Sequence, residues 1–523
     1  MTQQVKYYPL GGGLDIVTPG LTASPGTARA SLNYESDQTG YRRMIGYERY
    51  DGQPSPTDAY DAADTVEQGI IDRDAARALI AAVPGSGPVR GVHYYDGDLY
   101  AWRDSADGTK GVMWVATPSG WSMVNDTFPP EGLYELGTFN FYGAANRARM
   151  YGINGVGQGF EYDGITLTFI ATGMDPDIPI KLTAHKRHLF FAFVGGSVQH
   201  SSIGDPLDWK PITGAAEIAV GDEITDFVPA APANMVIMAR NSVQVLYGND
   251  ATDWQLEALT SEAGALPYTA EKIGSVIYMD NRGIRSLDTT PSFGNFTLGT
   301  MTQLIAPILR TRLASGDLPV ASCRVRARDL YRVFFEGGEG LSVYLGKKKP
   351  EVMPISLLAD LTCVTSVETE DGSEKIWFGS EDGFVYQMDK GRSYDGLPVQ
   401  YYLRLPFNHM GGPNLTKRWH KLALEYDAAS AITLKLAGEV DNAEPDEPVL
   451  KEQDLIGYGG GGFWDAVNWD QFYWSSPVDG EATAYIDALG KNISLLFGGE
   501  EADEEPHILQ GLTLYYTVRG ALR

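Results

Sequence analysis

Short units of strand and turn recur along most of this chain at a spacing of roughly 41 to 51 residues, which lies among the periods of repeat proteins. The stretch KIWFGSEDGFVYQMD at residues 375–389 shows the pattern: an aromatic strand, a turn containing Asp-Gly, and a return strand that alternates apolar and polar residues. A two-stranded hairpin cannot bury its apolar face alone, so it must pack against similar neighbours. Comparable units begin near Val89, Gly132, Ile178, Glu223, Ala270, Ala321 and Thr362.

This spacing predicts a mainly β protein in which residues 89–414 form a β-propeller of six or seven blades. The repeat lies in the hydrophobic pattern and not in shared letters, so both blade numbers stay open. The 60 glycines, 29 prolines, 29 tyrosines and 10 tryptophans are typical of many short strands joined by turns. A chain of 523 residues is also long for one core, which indicates two or three domains.

Two segments interrupt the β pattern. Residues 58–83 are rich in alanine, carry apolar residues at helical spacing and end at Pro84-Gly85, which predicts a small helical insertion over residues 56–88. This insertion is either a contact for another subunit or adaptor protein, or a local cover over an exposed blade edge. A further helix is predicted at residues 300–313, with Pro307 near the start of its continuous part.

Both ends of the chain differ from the repeated units. Residues 415–523 contain longer alternating strands, at 420–426, 432–437, 482–488, 493–497 and 509–518, and predict a C-terminal β-sandwich-like domain. Residues 1–55 are predicted to form an extended N-terminal segment that joins the propeller. Its second half is expected to form a strand pair that turns at residues 38–40, and pairing of the segment with the C-terminal domain stays open.

An aromatic segment lies inside the C-terminal domain, where four glycines at residues 459–462 precede FWDAVNWDQFYW. One interpretation is a buried core strand, because aromatic side chains usually bury. The other is a protein–protein contact, since tryptophan and tyrosine concentrate at such anchors. The candidate contact residues are Phe463, Trp464, Trp469, Phe472, Tyr473 and Trp474.

The charge balance opposes nucleic-acid binding. The chain has 41 basic and 68 acidic residues, a formal net charge of -27, so its overall field repels a polyanion. Arg324, Arg326 and Arg328 are expected to alternate along one strand face, where ion pairing or solvation is favoured over phosphate contact. No motif for sequence-specific DNA recognition is present.

The two cysteines, Cys323 and Cys363, are too few for a disulfide-stapled scaffold, so we expect both to be small buried hydrophobes of a protein made in a reducing compartment. The first residues lack the apolar region of a signal peptide, and no apolar stretch is long enough to span a bilayer. The sequence therefore predicts a soluble product of the cytoplasm without stable membrane insertion.

No catalytic motif emerges, and the chain is predicted not to be an enzyme and to bind no cofactor or metal. His185 and His188 are predicted to share one strand, whose period of two would place them on opposite faces and prevent joint metal ligation. The turn at residues 105–108 lacks the glycine spacing and tryptophan of sialidase repeats. Without geometry, no pair of carboxylates can be assigned to acid–base chemistry.

The N-terminal segment carries four short motifs: GGL at 12–14, SPG at 24–26, LNY at 32–34 and RRMIGY at 42–47. In this order, leading into a propeller, they resemble the tail hub or nozzle proteins of short-tailed bacteriophages, the class also called tail tubular protein B or packaged-DNA stabilisation protein. The closing strands of the C-terminal domain are similar to the same class. The N-terminal motifs cover about a tenth of the chain.

This resemblance implies a structural virion protein, made in the bacterial host cytoplasm and located in the virion tail. Six copies would form a ring below the head-to-tail adaptor protein, retain packaged DNA and provide the channel for its ejection. Other partners would be tail fibre or tailspike proteins, and double-stranded DNA that passes without sequence-specific binding. An acidic bore would repel the phosphate backbone and let DNA slide. The alternatives are a receptor- or glycan-binding propeller of the tail, and a glycosidase.

Overall fold

The computed structural model describes residues 2–143, 148–230, 234–287, 300–369, 371–441, 450–457 and 479–521. Over these ranges the chain is mainly β and consists of many small antiparallel sheets that resemble propeller blades. The N-terminal strands are β1 (Gln4–Pro9), β2 (Ala30–Leu32), β3 (Tyr34–Ser36), β4 (Tyr41–Arg43) and β5 (Tyr47–Arg49). β3 and β4 pair antiparallel, which confirms the strand pair predicted around residues 38–40.

The helices lie where the sequence predicts them. They are α1 (Pro56–Asp61), α2 (Val66–Leu79) and α3 (Ala306–Ala314), with 3-10 turns at Pro211–Thr213, Gln303–Ile305, Arg326–Arg328 and Glu336–Gly338. Ser55 and Thr65 cap α1 and α2, because each hydroxyl accepts a hydrogen bond from a backbone N–H in the first turn. Pro307 lies in the first turn of α3, where a missing N–H costs nothing. Within the described ranges, every helix is too short or too polar to cross a bilayer.

Seven small antiparallel sheets follow one another along the described chain. Their strands are β6 (Ser86–Tyr95), β7 (Asp98–Asp104), β8 (Gly111–Thr117), β9 (Gly120–Phe128), β10 (Glu135–Phe139), β11 (Arg149–Ile153), β12 (Phe160–Tyr162), β13 (Leu167–Phe169), β14 (Lys181–His185), β15 (His188–Phe193), β16 (Ser197–His200), β17 (Ala216–Ala219), β18 (Ile224–Ala230), β19 (Asn234–Ala239), β20 (Val243–Tyr247), β21 (Gln255–Thr260), β22 (Glu271–Ile273), β23 (Ser275–Asp280), β24 (Gly283–Ser286), β25 (Pro319–Val325), β26 (Leu330–Phe335), β27 (Glu339–Tyr344), β28 (Glu351–Ser356), β29 (Leu361–Glu368), β30 (Glu374–Ser380) and β31 (Val385–Met388).

Each sheet is a meander of consecutive strands: β6–β9, β10–β13, β14–β17, β18–β21, β22–β24, β25–β28 and β29–β31, the last completed by β5. The first strands begin within a few residues of the seven predicted unit starts, which confirms the repeat read from the sequence. β30 and β31 pair as the predicted hairpin, with Gly383 at a φ of 86° in its turn.

Contacts link each small sheet to the next. The first strand of every sheet contacts the first strand of the following sheet, and β29 contacts β6. Apolar clusters lie between consecutive sheets; for example, Trp102 of the first sheet stacks on Tyr134, which precedes the second, at a ring distance of 5.2 Å. Most of these cores are therefore local to two neighbouring sheets.

The C-terminal strands form two larger sheets. They are β32 (Val399–Arg404), β33 (Leu415–Asp427), β34 (Ile432–Val440), β35 (Leu450–Gly457), β36 (Asp479–Gly490), β37 (Ile493–Glu501) and β38 (Ile508–Ala521). One sheet has the order β3-β4-β38-β33-β36 with β1 also on β38, and the other has the order β2-β32-β37-β34-β35. The five predicted C-terminal strands are confirmed. β35 was not predicted, because its sequence continues a stretch rich in acidic residues and proline.

The N-terminal segment connects the small sheets to the larger pair, since β1 to β4 enter the larger sheets and β5 enters the last small sheet. A buried ion network reinforces this joint. Arg332 of β26 binds Glu35 of β3 through Nε–Oε1 and Nη2–Oε2 at 2.7 and 2.8 Å, and binds Asp389 at 2.9 and 3.0 Å. Arg328 contacts the same two carboxylates at 2.9 and 2.7 Å. Two guanidinium groups thus neutralise two carboxylates at the joint.

Candidate functional site: a central charged cavity

A cavity of about 310 Å³ lies where the first strands of all seven small sheets meet. β6, β10, β14, β18, β22, β25 and β29 each contribute lining residues. Convergent polar groups in a preformed cavity are the usual mark of a binding site in a protein without a known ligand. The charged lining residues are Glu135, Lys181, Asp226 and Glu271.

Glu135 and Lys181 form the one close ion pair among these described lining residues, with Nζ and Oε2 at 2.6 Å. The other oxygen of Glu135 accepts the Leu182 N–H at 3.1 Å, so the carboxylate is held from two sides. Lys181 also lies over the Tyr268 ring, 4.1 Å from its centre. Burial by itself would lower the pKa of Lys181, but the carboxylates of Glu135 and Asp226 outweigh it and raise that pKa, so Lys181 stays charged.

Asp226 and Glu271 are less well neutralised. Oδ1 of Asp226 accepts the Phe227 N–H at 2.8 Å, while Oε2 of Glu271 is 3.7 Å from the Arg324 guanidinium, beyond normal hydrogen-bond length. Burial raises the pKa of Asp226 to about 7, with Lys181 opposing the shift. Burial likewise raises the pKa of Glu271 to about 7, although Arg324 opposes it. Both carboxyls therefore change protonation near neutral pH.

Two further lining groups are neutral at that pH. Burial lowers the pKa of His93 to about 4, and the imidazole Nε2 lies 2.9 Å from the Thr138 hydroxyl. Burial raises the pKa of the Cys363 thiol to about 11. Across the described ranges, no three His, Cys, Asp or Glu side chains converge closely enough to hold a metal ion. The charged side chains of the lining suit the cavity to a polar or cationic molecule.

The prediction that His185 and His188 face opposite sides of one strand is wrong. Lys186 and Arg187 have φ values of 49° and 64° and form a tight turn, so the two histidines lie directly opposite each other in a hairpin. His188 packs 4.6 Å from the buried His200 ring.

The His200 ring is held in a neutral form. Its Nδ1–H donates to the Ser201 carbonyl at 2.9 Å, and Nε2 accepts the Trp254 indole N–H at 3.0 Å. Because both nitrogens are used in this way, the ring carries one proton. Burial lowers the pKa of His200 to about 4, in agreement with that tautomer.

The prediction that three arginines alternate along one strand is also wrong, because β25 ends at Val325 and residues 326–328 form a 3-10 turn. The predicted ion pairing is confirmed: Arg324 approaches Glu271, Arg326 approaches Glu368 at 3.5 Å, and Arg328 joins the buried network at the joint. These three arginines therefore form ion pairs with acidic side chains of the same chain.

The candidate contact residues Phe463, Trp464, Trp469, Phe472, Tyr473 and Trp474 lie outside the described residues. Cys323 is buried as predicted, and Cys363 is partly buried; both are free thiols.

Sequence reasoning missed the cavity residues, although a signal was present. Glu135, Lys181, Asp226 and Glu271 follow one another at intervals of about 45 residues, the period of the repeat itself. A charged residue at the first strand of successive units thus marks the place where those strands meet.

No protein-family model and no curated protein matches the chain. Among solved structures, the chain is similar to Raptor of Chaetomium thermophilum, with a TM-score of 0.41 and 8% identity over 67% of this chain and 29% of that chain. It is also similar to BBS1N, solved in complex with ARL6DN and soaked with mercury, with a TM-score of 0.37 and 10% identity over 59% of this chain and 93% of that chain. The chain thus spans less than a third of the Raptor chain.

Proposed function

We propose that this chain is a structural, non-enzymatic subunit of the tail nozzle or hub of a short-tailed bacteriophage, built on a seven-bladed β-propeller. Three features support the propeller: seven consecutive meanders, contacts from each first strand to the next including β29 to β6, and a cavity lined by every first strand. Completion of the last sheet by β5 ties the N-terminal segment to the ring of sheets.

The observation that carries the proposal is the position of the four N-terminal motifs. Their residues lie at the joint between the small and large sheets, where their identities are required by close packing. A Cβ on Gly26 would lie 2.1 Å from the Pro9 carbonyl oxygen, and one on Gly46 would lie 2.0 Å from that of Ser393. The Asn33 side chain donates to the Gln400 carbonyl and accepts the Ser356 N–H. The motifs that carry the resemblance thus lie at a closely packed joint, as a subunit under mechanical load would need.

A rigid joint suits a subunit that bears load during DNA ejection. In the nozzle, we expect six copies to form a ring beneath the head-to-tail adaptor, with tail fibres or tailspikes attached nearby. The cavity inside one chain is far too small for a DNA duplex, so the conduit lies between copies. The net charge of -27 keeps a duplex from adhering to that conduit.

Light scattering of the purified full-length chain, alone and mixed with its head-to-tail adaptor, tests the assembly. The proposal expects the mixture to give a particle that contains six copies. A chain that stays monomeric and does not co-elute with the adaptor would contradict it. Duplex DNA at physiological salt should not be retained, and strong retention would contradict the low-friction conduit.

The receptor- or glycan-binding alternative is supported by one surface of the larger sheets. Strand pairing places Val5, Tyr515, Lys421 and Tyr485 in one row across four strands, with Tyr7 on the same face. Tyr485 is 79% exposed and Tyr7 is 50% exposed. Tyrosine faces of this kind stack on sugar rings or anchor proteins. A glycan array tests this role, and chromogenic glycosides test for a glycosidase; binding or turnover there without ring formation would favour these alternatives.

A further inference from the structure

We infer that the central cavity binds a small organic amine in its ammonium form, held between the carboxylates of Asp226 and Glu271. This inference concerns the cavity within one chain and does not depend on the proposed role in a phage tail. It rests on the charge balance, the size and the lining of the cavity.

The charge balance favours a cation. Among the described lining residues, three carboxylates face one ammonium group, and that group is taken up by Glu135 at 2.6 Å. In the described part of the chain, the nearest ion pair of Glu271 is the 3.7 Å contact with Arg324, and no ion pair within 4.0 Å includes Asp226. Glu271 keeps 22% of its side chain accessible and lines the cavity, so an entering molecule can reach it. A second cation would complete the neutralisation that Lys181 begins.

The two carboxylates lie on neighbouring first strands of the same cavity. Asp226 lies on β18 and Glu271 on β22, these two strands are in contact, and both side chains line the cavity. An ammonium group has several N–H donors and can donate to both carboxylates at once.

The lining also selects for an organic cation over a metal ion. The described residues provide no set of three metal-ligating side chains here. Apolar side chains that can contact a short alkyl stem also line the cavity, and they include Val92, Leu136, Val320 and Val364. A volume of about 310 Å³ is at the lower end for ligand pockets, which limits the occupant to a small molecule.

Binding should release protons. Asp226 and Glu271 both have a pKa raised to about 7, so each is partly protonated at neutral pH in the empty cavity. A bound ammonium favours the charged carboxylates and lowers both pKa values, so protons leave as the ligand enters. The affinity should therefore increase as the pH rises through 7.

Calorimetric titration of the full chain tests the inference, with 1-aminobutane as the probe and 1-butanol as its uncharged control. We expect a preference for the amine of about tenfold or more, as one to two charged hydrogen bonds would give. Two buffers of different ionisation enthalpy, neither containing a primary amine, should give different heats, which report the released protons. Equal binding of the alcohol, absence of amine binding at millimolar concentration, or identical heats in the two buffers would overturn the inference.

Variants locate the site. Asp226→Asn and Glu271→Gln should each weaken binding of 1-aminobutane by about tenfold. Glu257→Gln, which removes an exposed carboxylate from the outer strand β21 of the same sheet as Asp226, should leave the affinity unchanged. If neither cavity variant weakens binding, or if Glu257→Gln weakens it equally, the amine binds elsewhere and the inference fails. If a cavity variant does not fold, the two-buffer measurement on the natural chain still tests the inference, because it detects the protons released on binding.

Discussion

Replacing Glu35 with glutamine should destabilise the joint strongly. Glu35 is 1% exposed, and its carboxylate takes three contacts of 2.7 to 2.9 Å from Arg332 and Arg328. The neutral amide keeps the shape but leaves two guanidinium groups to Asp389 alone. Breaking a buried ion pair in this way costs about 3 to 5 kcal/mol of unfolding free energy. Urea unfolding at pH 7 measures that loss, and native-state hydrogen exchange should locate it at β3 and β26.

The pH dependence gives the same prediction a second test. Burial by itself would raise the pKa of Glu35, but Arg332 and Arg328 outweigh it and lower that pKa to about 2. A carboxyl with a lowered pKa stabilises the fold fully above its ordinary pKa of 4.5, and this stabilisation is lost as the pH falls toward 2. The difference in the free energy of unfolding between the natural chain and Glu35→Gln should therefore become smaller in acid.

Two further variants make the test specific. Glu35→Met combined with Arg332→Met leaves Arg328 paired with Asp389 and should recover much of the stability, because no buried charge is then unpaired. Glu452→Gln, which removes an exposed partner of Lys435, should cause no measurable change. The reasoning would be refuted if Glu35→Gln lowers the free energy of unfolding by less than about 1 kcal/mol, or if its difference from the natural chain stays the same in acid.

Three more predictions concern other parts of the fold. Gly46→Ala should lower the free energy of unfolding in urea by about 3 kcal/mol or more, because its Cβ would meet the Ser393 carbonyl oxygen at 2.0 Å. Gly20→Ala, with open space around it, should be close to neutral. Equal effects of the two substitutions would contradict the packing. His507 is fully buried, and burial with the nearby Arg43 lowers its pKa to about 3. As the pH falls below 6.5, His507 takes up a proton in the unfolded chain but not in the folded chain, so the free energy of unfolding declines by at most about 1.4 kcal/mol per pH unit. Urea unfolding of His507→Gln at several pH values should show a shallower decline. Burial raises the pKa of both cysteine thiols, so a thiol reagent at pH 8 should label them slowly in the native chain and rapidly in urea. Rapid labelling of the native chain would contradict the burial of these thiols.

The features that the sequence predicts well are local ones. The hairpin of β30 and β31 depends on a nearby Asp-Gly turn and on alternation within a few residues, and both signals are visible in the letters. The helices α1 and α2 fall in the alanine-rich segment, whose helical spacing is an equally local signal. Such elements are predictable from local sequence, and their recurrence along the chain predicts the seven unit starts.

The errors have physical causes of a different kind. The turn between His185 and His188 uses two positive-φ residues, Lys186 and Arg187, that have no turn signature, so the hairpin looked like one strand. The pairing of N-terminal strands with β38 and β32, which the sequence leaves open, depends on contacts between opposite ends of the chain. No local pattern predicts partners at that separation.

The candidate site shows the same limit. Each of its carboxylates is unremarkable in an acidic chain, and only the meeting of the first strands places Asp226 beside Glu271. Their repeat-length spacing is detectable in the sequence, but its significance depends on the meeting of the first strands at the cavity.

Electron cryo-microscopy of the intact phage particle tests the proposed function most directly. The account predicts six copies of this chain in a ring beneath the head-to-tail adaptor, with the DNA path between the copies and an acidic surface facing it. Density for the chain at a fibre tip or in the capsid, or a strongly basic surface along the DNA path, would contradict the account.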